Sequence, residues 1–156
     1  MKEAENISGN EDDIQKLNDI INFCRANYNI THNKTYDLAE SGIEICEKLN
    51  LSADKNILKT YLAFFLWHNN EPQKAISIIY SISEKLLANK NYLEFSLGVI
   101  ITSLIEWAKG NVELAFNTIN QAFDELKNKE NTKVAIIRLN WTLGVFYFDL
   151  DEIEDS

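Results

Sequence analysis

Residues that usually mark special local chemistry are scarce in this 156-residue chain, which has one proline, two cysteines, two histidines and five glycines. The glycines stand apart, at Gly9, Gly42, Gly98, Gly110 and Gly144, so no phosphate-cradling loop forms. Cys24 and Cys46 lack metal or redox spacing and read as buried free thiols of a reducing compartment. His32 and His68 make no ligand pattern with either cysteine or with a carboxylate, so no metal and no cofactor is expected. His32 falls in a turn and reads as solvated; His68, after Trp67, reads as a helix-end histidine rather than a general base. With no convergent polar set, an enzyme is not expected. Long apolar runs are also missing. The strongest, Tyr61 to Trp67, is seven residues, against the roughly 18 of a membrane span. The opening Met1-Lys2-Glu3-Ala4-Glu5 lacks a signal peptide's apolar segment, and a cytoplasmic location is the expectation.

Basic excess is absent too. The formal net charge is −9, but it is concentrated at the ends. Residues 1–13 hold one lysine and five acids, and residues 149–156 hold five acids and no base. Residues 14–148 therefore balance 14 bases against 14 acids. A neutral body offers no basic face for phosphate contacts, so nucleic acid is not an expected partner. Residues 1–11, with Ser8-Gly9-Asn10, read as a disordered acidic lead-in. Residues 12–156, apolar enough to bury a core, read as one folded domain.

What is present is periodicity. Small residues recur at Ala39, Ala75, Ala115 and Ser156, spaced by 36, 40 and 41. Twelve positions upstream of the last three lie Ala63, Ser103 and Gly144, again small, where two helices must approach closely. Four positions downstream of the first three lie Ile43, Ile79 and Ile119, and seven downstream Cys46, Ile82 and Ala122. Small-x3-apolar-x2-apolar places one stripe on a single helix face. Near the end stands Leu143-Gly144-Val145-Phe146-Tyr147, a Leu-Gly-x-x-Tyr sequence ahead of a turn and a small residue.

Over residues 15–156 this pattern resembles the tetratricopeptide repeat family, in its longer-helix form found in bacterial regulators and sensor proteins. The resemblance implies an all-α fold, a right-handed superhelical stack of antiparallel helix pairs with about seven helices, truncated in its fourth repeat. First helices are expected near 12–28, 53–69, 91–109 and 132–149, and second helices near 35–50, 71–89 and 111–129. Pro72 falls where an opening helical turn tolerates proline. Ser52, Asn70, Asn91 and Asn131 read as N-caps. Glu106 stands where the family pattern has an aromatic and reads as a surface carboxylate lying along its helix, with a half-buried carboxyl of raised pKa, a candidate proton donor, as the alternative.

In this family the first helices line a concave groove. The aligned positions here are Thr60, Ile100 and Trp141; Phe64, Leu104 and Val145; and Trp67, Trp107 and Phe148. No lysine–asparagine set that would clamp a terminal carboxylate is among them. The resemblance instead implies an aromatic groove of Phe64, Trp67, Ile100, Leu104, Trp107, Trp141 and Phe148, with Trp107 as an anchor for a protein or peptide partner. The implied function is a non-catalytic protein- or peptide-binding module, the N-terminal sensor or interaction region of a larger bacterial signalling or regulatory protein. The alternative is a self-association scaffold whose aromatic positions are core. In the fourth unit Leu139, Leu143, Phe146, Tyr147 and Leu150 lack the second helix that would cover them. That leads to the expectation of an apolar terminal surface and a homodimer through the C-terminal repeat.

Overall fold

The computed structural model describes the backbone of residues 2–154 and the side chains of residues 10–151. Every regular element among the described residues is helical, and seven helices follow in order: α1 Lys2–Asn27, α2 His32–Leu49, α3 Ser52–His68, α4 Pro72–Ala88, α5 Tyr92–Ala108, α6 Val112–Leu126 and α7 Lys133–Glu154. The fold is all-α and repeat-like, as the period near 3.6 requires. α1 is helical from Lys2, through most of the stretch 1–11 expected as a disordered lead-in, while the small position Ser156 lies outside the described residues.

Two compact units divide the chain, Met1–Asn89 and Lys90–Ser156. In the first, α1 packs on α2, α2 on α3 and α3 on α4, and α1 also reaches α3. In the second, α5 packs on α6 and α7, and α6 on α7. Within each unit the short connections make successive helices antiparallel neighbours. A first helix that touches the next first helix, as α1 touches α3 and α5 touches α7, lets each unit bury faces that an isolated pair would leave wet.

The small positions sit where the sequence puts them. Ala39, Ala75 and Ala115 are completely buried, and so are Ala63 and Ser103. The stripe below them, Ile79, Ile82, Ile119, Ala122 and Cys46, is buried as well. Gly42 closes the tightest contact. A Cβ built there would meet Leu58 Cδ1 at 2.6 Å and Ile20 Cγ2 at 3.1 Å, so α2 lies against both α1 and α3 at that point.

The turns differ from the expected N-caps. Asn50, Asn70, Lys90 and Gly110, spaced by twenty residues, all have positive φ, at 57°, 62°, 61° and 82°. The Asn50 N–H donates to Glu47 O at 3.4 Å and the Leu51 N–H to Cys46 O at 2.9 Å. Asn70 and Glu71 repeat this on Trp67 and Leu66, and Gly110 and Asn111 on Trp107 and Glu106. This paired 5→2 and 6→1 bonding ties off a helix C-terminus through a left-handed residue. Asn70 and Asn131 (φ 60°) are thus left-handed residues, not N-caps, because asparagine tolerates that region better than most residues. Leu51, Glu71 and Asn111 each end this motif and begin the next helix, as Asn91 begins α5, accepting from Lys55, Ala75, Ala115 and Phe95 respectively. None of the four makes a side-chain cap bond. Ser52 is the first residue of α3, not its cap. Asn91 is an N-cap by position, and Pro72 opens α4.

Candidate functional site

Unit 1 gathers rings where α1, α2 and α3 meet. Phe64 on α3 is buried, edge-on to Tyr28 at 4.8 Å, with His68 at 4.6 Å, Trp67 at 5.6 Å and His32 at 5.8 Å between ring centroids. Phe64 is therefore a core residue, and Trp67 is half-buried beside it. His32 is not simply solvated: as the first residue of α2 it is half-buried, its ring 4.3 Å from that of His68. Burial, and then the charge of a protonated His32, lower the His68 pKa below its usual 6.5. Sequence reading missed this pair because a separation of 36 residues has no ligand-motif signature.

Unit 2 builds a second cluster. The Trp107 ring lies parallel to Phe146 at 4.3 Å and 2°, and Phe116 meets both edge-on, at 6.0 Å and 5.7 Å. Phe146 is completely buried. Trp107 is half-buried and packs within this cluster. Ile100 and Leu104 are half-buried on α5.

Glu106 is buried, contrary to its reading as a surface carboxylate. Its Oε1 accepts from Lys109 Nζ at 2.8 Å and its Oε2 from Asn111 Nδ2 at 2.7 Å. These two bonds, Lys109 foremost, hold the carboxyl below the usual range, so at neutral pH it is a charged lock on the α5–α6 turn with no proton to give. Burial pushes both thiols, Cys24 and Cys46, up to about 11, so neither is a nucleophile near neutral pH. Among the described residues no three His, Cys, Asp or Glu side chains gather as a metal site, and no helix is long and apolar enough to cross a membrane.

The remaining groove candidates, Trp141 and Phe148, lie on the outward face of α7. Ala135, Leu139, Thr142 and Phe146 are buried against α5 and α6, which turns Val134, Ile137, Trp141, Gly144 and Phe148 outward. The apolar four of these and the flanking Tyr147 are between 54% and 73% exposed, with Trp141 the most open. They are five of the nine strongly exposed large apolar residues among those described, so the exposure is concentrated on one helix rather than scattered. The C-terminal surface is apolar as expected, but its membership differs. Leu139 and Phe146 are buried, Leu143 and Leu150 half-buried, and Tyr147 leans on Phe116 at 5.0 Å. The rings around Phe64 in unit 1 are drawn into its packing, whereas Trp141, Tyr147 and Phe148 of α7 face water. Set against protein-family models, curated proteins and solved structures, the chain matches none of them.

Proposed function

We propose that this chain is a non-catalytic protein-interaction module of the tetratricopeptide type, which takes an apolar or amphipathic helical segment on the outward face of α7. The observation that carries the reading is the continuous exposed stripe Val134–Ile137–Trp141–Phe148. Single exposed apolar residues are ordinary, whereas a contiguous apolar patch on a folded surface marks a place where something binds. Tryptophan at its centre supplies a large rigid contact with little rotamer entropy to lose. A helix laid along another helix reads such a stripe through residues three and four apart. The resemblance to long-repeat regulators favours the interaction region of a larger cytoplasmic bacterial signalling protein as the setting.

Titration with an amphipathic leucine–lysine model helix tests this through tryptophan fluorescence. Trp141 moves from water into apolar contact, so the emission shifts to shorter wavelength. Trp141→Ala removes most of that shift and weakens binding at least tenfold. Binding that is unchanged in Trp141→Ala, or absent in the unmodified chain, would contradict the reading.

A further inference from the structure

We propose that the partner seated on α7 is the α7 of a second copy of this chain, packed antiparallel, with Trp141 of each copy in the notch over Gly144 of the other. This rests on α7 being an interaction face and adds its occupant.

The stripe has a coiled-coil period. Val134, Trp141 and Phe148 are seven apart, and Ile137 and Gly144 each follow three residues after one of them. These are a and d positions, the seam along which one helix interlocks with another. The stripe runs 14 residue steps from Val134 to Phe148, or about 21 Å at 1.5 Å per residue.

Gly144 makes the seam self-complementary. A Cβ built on Gly144 would meet nothing within 4 Å. Alanine would fit there and favour the helix, so a mid-helix glycine on an open face gains nothing from its own unit. It gains when another surface comes close. The aligned residues of α3 and α5, Ala63 and Ser103, are both completely buried, so in those helices the same small position is covered. Antiparallel pairing about a point midway between Trp141 and Gly144 sets each tryptophan against the opposite glycine. The same axis sets Ile137 against Phe148 on both sides and Val134 against Asp151 at the two ends, each layer pairing an a with a d position. One surface meeting itself about a twofold axis makes a closed dimer.

Charge selects the orientation. The bases of α7, Lys133 and Arg138, are in its first two turns, and Asp149, Asp151, Glu152 and Glu154 are at its end. The helix dipole favours the reverse, so forces within the helix do not account for this order. Antiparallel pairing lays the basic end of each helix beside the acidic end of the other; parallel pairing would set four acids against four. Complementarity of this kind fixes register and orientation.

Light scattering of the full chain over a concentration series gives the test. The wild-type mass rises from monomer to dimer. Gly144→Gln, a better helix former that fills the notch, keeps the helical circular-dichroism signal and weakens dimerisation at least tenfold. Lys133→Glu also weakens it, and adding Asp151→Lys restores it. A dimer indifferent to Gly144→Gln and to the charge exchange would overturn the geometry. A wild-type chain that stays monomeric overturns self-pairing. If it still binds the leucine–lysine helix, the interaction reading stands with a different occupant; if it does not, both fall.

Discussion

α5 and α7 hold the same place in the repeat, 41 residues apart, yet their outward positions are inverted. Ser96, Ser103 and Glu106 of α5 are polar and buried; the aligned Ile137, Gly144 and Tyr147 of α7 are apolar or bare and exposed. The α5 polar groups survive burial because each finds a partner. Ser96 Oγ donates to Leu93 O at 2.8 Å, Ser103 Oγ to Ile100 O at 2.9 Å, and Glu106 accepts from Lys109 and Asn111. In α7 the covered face is 135, 139, 142 and 146, while the opposite face is apolar and wet. Hydrophobicity along a helix thus says that a face is suited to being covered; the neighbours decide which face is covered already.

The largest expected effect separates the two faces of α7 itself. Phe146→Ala empties a completely buried site stacked on Trp107 and should cost about 3–5 kcal/mol. Trp141→Ala, on the exposed face, should leave the isolated chain within about 0.5 kcal/mol of wild type. Urea denaturation at low protein concentration measures both, and equal losses would erase the distinction.

Next comes the contrast of covered and open small positions. Ala115→Leu should overpack the α5–α6 contact and cost about 1–3 kcal/mol. Gly144→Ala should stabilise the isolated chain by about 1 kcal/mol, through helix propensity alone. A thermal midpoint that falls in Gly144→Ala would show that the notch is already filled within one chain. Gly110→Ala should cost about 1 kcal/mol, because φ 82° suits glycine and not a Cβ.

The smallest effect lies in unit 1, at the His32–His68 ring contact. The His68 pKa is lower in the folded chain than its usual 6.5, so the unfolded chain binds more protons in that range. The contribution to stability is complete above pH 6.5 and is lost as pH falls through the lower folded value. Thermal midpoints at pH 8 and pH 5.5 should differ less in His68→Gln than in wild type. An unchanged difference would mean that His68 titrates as it does in water.

Much of the fold is legible in the sequence. The expected helices 53–69, 71–89, 91–109 and 111–129 correspond to α3 Ser52–His68, α4 Pro72–Ala88, α5 Tyr92–Ala108 and α6 Val112–Leu126. Local periodicity and turn residues carry that information. Asn91 is the N-cap expected, but Asn70 and Asn131 are not, because asparagine serves both as an N-cap and as a left-handed C-terminal residue, and only backbone geometry tells them apart. Glu106 was misread because its partners, three and five residues on, become partners only once the turn closes. Among the groove candidates, Trp141 and Phe148 are open while Phe64 is core. Repeat spacing gives aligned rings the same position but cannot give them the same neighbours.

Spin-label distances test the central claim most directly, namely that the open face of α7 pairs with itself in antiparallel order. Cys24 and Cys46 are buried with raised pKa values, so labels on Asn140→Cys and, separately, Asp151→Cys react selectively at exposed sites. Antiparallel pairing about the Trp141–Gly144 axis places the two Asn140 labels roughly 10 Å apart and the two Asp151 labels roughly 25 Å apart, from the helical rise and interaxial spacing. Short distances at both positions, as in a parallel pair, or no distance between copies at either, would contradict it.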